Sequence, residues 1–323
     1  MRTLKVPLSL ALLVLLACPL PVLAQKYPDR SIRLMVGYQT GVAYMVSLLL
    51  ADKLRELVGQ SVVPEFRLGA AGNIALEVVA KAPPDGYTLG LASTGVVISP
   101  NLFPKLGYAP FRDFAPISLL ASVPNVMVIH PSVPAKTLAE LVTLAKAHPG
   151  KLNFGSGGIG SHAQLGSELF KTLNKINIVH VPYKGSAIAM TAMMSGEVDM
   201  VTSSVPATIP LINAGKIRGL AVMAPERVAK LPKVPTSAEA GMPELVVITW
   251  WGLFAPAGTK PDIIEHVNAA VVKLMNSPET KSTLAKVDLD VSTSTPAEFG
   301  KFARAEYEKW GRVIREANIR IQQ

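Results

Sequence analysis

The chain has 323 residues, 49% apolar and 17% charged, which suits a folded globular protein and excludes a disordered or fibrous one. Its formal charge of +9 comes from basic residues spread along the chain, with no run of five and no interleaved aromatics. That pattern excludes a nucleic-acid surface and leaves a basic field favouring anionic solutes, while a single cysteine, Cys18, excludes a disulfide framework.

Met1 to Ala24 reads as a targeting segment. Arg2 and Lys5 precede an apolar run from Leu8 to Ala17, interrupted by Ser9. Pro19 and Pro21 break the run, and Val22-Leu23-Ala24 offers a cleavage site. The run is too short for a spanning helix, which needs roughly 20 apolar residues. Leu15-Leu16-Ala17-Cys18 loosely resembles a lipid-attachment box, but Leu16 and Pro19 fit it poorly. The expectation is export with cleavage after Ala24 and no lipid on Cys18. That leaves 299 residues (323 minus 24), enough for two domains.

Beyond the leader, short β-rich runs alternate with amphipathic stretches. Residues 32–38, 60–65 and 87–92 read as strands, with helices at 47–58 and 73–81. Further strands are expected at 126–130, 152–154, 178–181, 198–201 and 217–222, with helices at 137–147, 160–173, 187–195 and 206–214. Gly196 and Gly215 follow two of these helices, where a left-handed C-cap favours glycine. Residues 227–243 read as loop and 246–255 as extended chain, and Thr259, Pro261 and Asp262 open another helix. Thr137-Leu138-Ala139-Glu140 and Thr295-Pro296-Ala297-Glu298 are capping boxes, the second opening a terminal helix at 296–317. This alternation implies βαβ units: an α/β fold with mostly parallel sheets flanked by helices.

Gly155-Ser156-Gly157-Gly158-Ile159-Gly160 matches G-x-G-x-x-G between a strand and a helix. A dinucleotide site would need an acidic residue near positions 175–182, and none is present there. The loop suits capture of a carboxylate instead. Glycines let the backbone approach, free amides at the helix start point at an anion, and Ser156 and Ser161 add hydroxyls around Gly157 and Gly158. Ser93 and Thr94 close a strand, where ligand crevices form. Tyr183 and Lys184 place an aromatic ring and a cation at a helix start. No cofactor, metal or catalytic constellation is expected. The five histidines have no metal-ligand spacing, and no serine has glycine two residues before and two after.

Seven phrases recur in fixed order: Tyr27-Pro28-Asp29-Arg30, Gly69-Ala70-Ala71-Gly72-Asn73, Pro83-Pro84-Asp85-Gly86-Tyr87-Thr88, Gly155-Ser156-Gly157-Gly158, Val181-Pro182-Tyr183-Lys184-Gly185, Leu231-Pro232-Lys233-Val234-Pro235-Thr236 and Trp251 to Thr259. In this order the chain resembles the periplasmic solute-binding receptors of tripartite tricarboxylate transporters, the Bug (TctC-type) family. The resemblance implies a two-lobed periplasmic binding protein fold of type II-like architecture. Lobe one would hold residues 25–123 plus 248–323, and lobe two 124–247. It further implies a monomeric receptor that takes a small carboxylated solute in the interlobe cleft and delivers it to membrane transporter subunits. The alternative is a ligand-sensing receptor that docks on a membrane sensor without transport.

One loop departs from the family pattern. Members read like Val-Pro-Phe-Pro-Pro-Gly-Gly-Ser-Thr-Asp where this chain has Val36-Gly37-Tyr38-Gln39-Thr40-Gly41-Val42-Ala43-Tyr44-Met45. Gly41 alone survives of the paired glycines, and Met45 replaces the aspartate. Tyr38, Gln39 and Thr40 are then the polar groups available there. A second departure is at Ser203, near which the family often has an acidic residue; here Thr202, Ser203 and Ser204 offer hydroxyls.

Overall fold

The computed structural model describes residues 27–39, 41–103 and 105–320. The expected leader with Cys18, and Thr40, lie outside the described residues.

β1 (Ile32–Val36) is buried at every position but Arg33, as a strand covered on both faces requires. Helices α1 (Gly41–Lys53) and α2 (Arg55–Val58) lead to β2 (Val62–Phe66), and α3 (Asn73–Ala80) leads to β3 (Thr88–Ser93). Both β2 and β3 lie parallel to β1. After β3 come α4 (Gly95–Leu102) and α5 (Pro110–Asp113), then β4 (Phe114–Ile129). The next units are α6 (Leu138–Ala147), β5 (Asn153–Ser156), α7 (His162–Asn174), β6 (Val179–Pro182), α8 (Ser186–Met194), β7 (Met200–Ser204), α9 (Val205–Asn213) and β8 (Arg218–Val222). The chain returns through β9 (Ile248–Pro256), α10 (Pro261–Met275), α11 (Pro278–Ala285), β10 (Asp290–Val291) and α12 (Pro296–Glu316).

β4 organises the molecule. Its 16 residues far exceed the usual strand of about six. From Phe114 to Pro124 it pairs with β9, and from Asn125 to Ile129 it pairs with β7, with β8 on its other side. The sheet order is therefore β2-β1-β3-β9-β4-β7-β5-β6, with β8 and β10 also on β4. The sheets are mixed, which corrects the expectation that they are mostly parallel. Pairing is parallel in β2-β1-β3 and β7-β5-β6, and antiparallel wherever β4 or β9 takes part. The reason is that β4 and β9 run between the halves and oppose each other along their whole contact.

Helix starts follow the local chemistry. Thr295 accepts from the Glu298 amide at 3.2 Å while Glu298 accepts from the Thr295 amide at 2.9 Å, completing the capping box with Pro296 at the first turn. At α6, Thr137 accepts from the Glu140 amide, but the Glu140 carboxylate reaches one residue further back, to the Lys136 amide at 2.6 Å. α12 then packs across both halves. Trp310, Phe299, Trp250 and Phe254 share one core with Leu165 and Phe170 of α7 and Val97 of α4. Gly252 of β9 lies directly beneath the Phe299 ring, where any side chain would overlap it.

Candidate functional site

The ends of β3 and β5 face each other across a cavity of about 290 Å³. Tyr38, Ala71, Ser93, Gly95, Ser99 and Leu102 line one wall, and Gly157, Ile159, Gly160, Ser161 and His162 line the other. A second cavity of about 460 Å³ adjoins it, sharing Ser161 and His162. Asn125, Ser186, Thr191, Thr202, Ser203, Ser204 and Thr249 bring polar groups to its lining, and Ala163, Ala187, Met190, Met194 and Ala207 apolar ones. The walls come close at Gly160, where an added Cβ would stand 2.5 Å from Leu102 Cδ1.

On the first wall, Tyr38 donates its hydroxyl to the Ala71 carbonyl at 2.6 Å, and its oxygen lies 3.4 Å from Ser93 Oγ. Burial raises the Tyr38 pKa, with the Ser93 hydrogen bond pulling the other way, so the phenol stays protonated at neutral pH. Ser93 Oγ also accepts from the Gly95 amide at 3.4 Å.

The opposite wall is the glycine loop. Gly158 donates its amide to Ser156 Oγ at 3.1 Å, and Gly160 donates to Gln164 Oε1 at 2.7 Å. Ser161 caps α7 by accepting from the Gln164 amide at 3.3 Å. His162 and Ala163, the first two residues of α7, keep amides that the helix cannot satisfy, at the positive end of its dipole. The Gly157 amide likewise has no acceptor among the described residues. Gly157 is a steric requirement, since a Cβ there would stand 2.7 Å from Ser186 Oγ and 2.9 Å from the Ser186 nitrogen.

Two histidines brace this wall. His180 is held by Ser156 Oγ at 2.7 Å and Gln164 Nε2 at 3.3 Å, and it stacks on Phe154 at 4.8 Å. Burial, and secondarily the Lys171 charge, lower its pKa to about 4. His162 is half-buried as a residue, but its Nε2 is enclosed and has no partner among the described residues. Burial, and secondarily Lys309, lower its pKa to about 4 as well. Both rings are therefore neutral at pH 7.

The sequence-selected residues divide. Tyr38, Ser93, Gly157, Ser161 and Ser203 line the cavities, and Gly158 lies in the same loop with φ +117°. Ser156 is buried behind that loop, bonded to His180. Thr94 faces inward: its hydroxyl accepts from the Trp250 amide at 3.0 Å, tying β9 to β3. Gln39 and Gly41 are exposed at the start of α1 and line neither cavity. Lys184 is exposed and Tyr183 donates its hydroxyl to Glu197 at 2.8 Å, both away from the cavities. Met45 packs against the core of the first half, and the Tyr44 ring lies tilted at 47° to Phe66 with centroids 5.5 Å apart. Asn125, Thr249, His162 and Ser186 line the site without having been selected. Of these His162 and Ser186 carry a local signal, each as the first helical residue after a glycine-bearing turn. No cluster of three metal-ligating side chains occurs among the described residues.

The model of the tripartite tricarboxylate transporter family receptor matches residues 46–319, and the chain belongs to that family. It is 33% identical over 305 residues to Protein BugT of Bordetella pertussis, covering 94% of each chain. It is similar to the solved structure of R. palustris Rpa4515 with adipate, with 34% identity, a TM-score of 0.75 and coverage of 91% of this chain and 100% of that one. It is also similar to MatC from Rhodopseudomonas palustris with bound malate, with 31% identity, a TM-score of 0.72 and coverage of 89% and 100%. The fold is thus that of the α/β periplasmic binding proteins, and the family is one of solute receptors.

Proposed function

We propose that this member of the tripartite tricarboxylate transporter receptor family captures a small carboxylated solute outside the inner membrane and delivers it to a tripartite transporter. The observation that carries this reading is the cavity walled by Tyr38 and Ser93 on one side and Gly157 to His162 on the other. Unsatisfied amides at the start of α7 and hydroxyls on both walls can share one carboxylate. The two lobes would be residues 25–123 with 248–323, and 124–247. Their crossings would lie where β4 changes partner after Pro124 and where β9 begins at Ile248. A solute touching both walls stabilises the closed arrangement by binding it better than the open one. Residues 1–24 act as an export signal.

The test uses protein recovered from the periplasm, whose intact mass should begin at Gln25. A thermal-shift screen of carboxylates on that protein should show at least one compound raising the melting temperature with concentration, because it binds only the native state. A screen in which amines or neutral sugars stabilise and no carboxylate does would refute the proposed solute class.

A further inference from the structure

Parallel pairing sets His180 of β6 opposite Phe154 of β5. Phe154 and Ser156 are two residues apart in the strand, so both point to one face of it. The imidazole of His180 therefore stacks on Phe154 while its Nε2 reaches Ser156 Oγ at 2.7 Å. Its Nδ1 meets Gln164 Nε2, from the first turn of α7, at 3.3 Å. The proton on each of these atoms is fixed by the groups at the two ends of the network. The Gly160 N–H can only donate, so the Gln164 atom that meets it at 2.7 Å is the carbonyl oxygen. The other end of that amide is an NH2 that can only donate, and it faces His180 Nδ1. Nδ1 must accept, which places the proton of the neutral ring on Nε2 and makes Ser156 Oγ its acceptor. The Ser156 hydroxyl then donates to the Gly158 carbonyl at 3.2 Å, and its oxygen also accepts from the Gly158 amide at 3.1 Å. A proton on Nδ1 would set two donors against each other. Turning the Gln164 amide over would do the same at Gly160.

This network engages the amides of Gly158 and Gly160, and Ser161 donates its own amide to the Gly158 carbonyl at 3.2 Å. The amides of Gly157, Ile159, His162 and Ala163 are left without an acceptor among the described residues. All four of those residues line the two cavities, whereas His180 lines neither. The hydrogen bonds behind the loop thus select which of its donors remain for a solute. We infer that His180 is a positioning residue for the binding site: as the Nε2–H tautomer it holds Ser156 and Gln164 so that the glycine loop presents the free amides of Gly157, Ile159, His162 and Ala163 to the cleft. The inference rests on reading the cleft as a carboxylate site and adds the residue that holds its donors in place.

The test begins with NMR of the ring nitrogens in the ligand-free mature protein at pH 7, which should find His180 protonated on Nε2 and bare on Nδ1. Gln164→Glu keeps an oxygen for Gly160 but turns an acceptor toward Nδ1, so in that variant Nδ1 should carry a proton. His180→Phe keeps a ring on Phe154 and removes both hydrogen bonds, while His180→Gln restores a donor toward Ser156. Amide exchange at Gly158 and Gly160 should quicken about tenfold in His180→Phe and return toward the wild-type rate in His180→Gln. The Trp250 amide, bonded to Thr94 in the core, should keep its wild-type rate in both. In calorimetry, those of adipate, malate, citrate and glutamate that bind the wild type should bind His180→Phe about tenfold more weakly, the effect of leaving buried partners without their hydrogen bonds. They should bind His180→Gln within about threefold of wild type. A wild-type ring protonated on Nδ1, unchanged exchange at Gly158 and Gly160 in His180→Phe, or wild-type affinity in that variant would overturn the inference. So would equal quickening at Trp250, which would make His180 a support of the fold alone. If none of the four acids binds the wild type while the proton placement and exchange are as stated, the carboxylate reading falls and the wiring of the loop by His180 stands.

Discussion

Replacing Gly157 by alanine is expected to weaken carboxylate binding at least tenfold, about 1.4 kcal/mol. The added methyl would stand 2.7 Å from Ser186 Oγ and 2.9 Å from the Ser186 nitrogen, closer than real Cβ contacts come. The hydroxyl could rotate away, but the backbone nitrogen belongs to the first residue of α8 and cannot. Either α8 shifts or the loop moves off it. In both cases the Gly157 amide and Ser161 leave the positions that face Tyr38 and Ser93. A site whose donors are held by the backbone loses affinity when that backbone moves by fractions of an ångström. The close approach to Ser186 means that α8 is disturbed along with the loop. Lys184→Ala is the matched control, since Lys184 is exposed and lines neither cavity. Calorimetry should find the control unchanged, and a Gly157→Ala variant of wild-type affinity would remove this loop from the site.

Acid should destabilise the ligand-free protein through its two neutral histidines. Each has a folded pKa of about 4, set chiefly by burial, against about 6.5 for an unfolded chain. Below pH 6.5 the unfolded chain takes up protons that the folded chain refuses. The stability that these groups contribute is therefore fully present above pH 6.5. It declines as pH falls and is gone below about 4. The contribution is on the order of 2 kcal/mol for His162. It is smaller for His180, whose exposed edge is screened by water. The charges bearing on the rings, Lys309 and Lys171, act in the same direction as burial. Carboxylates elsewhere also respond to acid, so the decisive comparison is between proteins. Denaturant midpoints of wild type and His162→Gln, taken at pH 7 and pH 4.5, should show a smaller fall in the variant. Parallel falls would mean that His162 titrates normally in the folded state.

Much of the fold was legible because the local signals agree. The βαβ alternation places β1, β3, β5 and β7, the capping box at Thr295 fixes the start of α12, and the glycine loop falls between β5 and α7 as read. The first stretch of β4 was not legible. Phe114 to Val123 contains Pro116 and has no clean alternation, and its register with β9 shifts twice, at Pro116/Ser118 and Leu119/Ala121. Bulges and proline hide a strand from a period-two reading. α1 starts at Gly41 rather than Ser47; Gly41 and the β-branched Val42 are weak helix formers, so this first turn reads as loop. In the site, short-range features were visible and long-range ones were not. Asn125 donates to Thr249 Oγ1 at 3.2 Å across a separation of 124 residues, a pairing set only by β4 meeting β9. Thr94 was selected for its place at a strand end, yet that place is what lets its hydroxyl bind the Trp250 backbone instead of a solute.

The central claim is that one carboxylate is shared between the walls at Ser93 and Ser161. A crystal structure of the mature protein with the most strongly stabilising acid from the carboxylate screen tests it most directly. The account predicts carboxylate oxygens within hydrogen-bonding distance of the amides between Gly157 and Ala163, with the Tyr38 or Ser93 hydroxyl reaching the same group directly or through one water. A carboxylate bound elsewhere, for example in the groove of about 540 Å³ between Tyr27, Arg30 and Lys260, with the cleft holding only water, would contradict it.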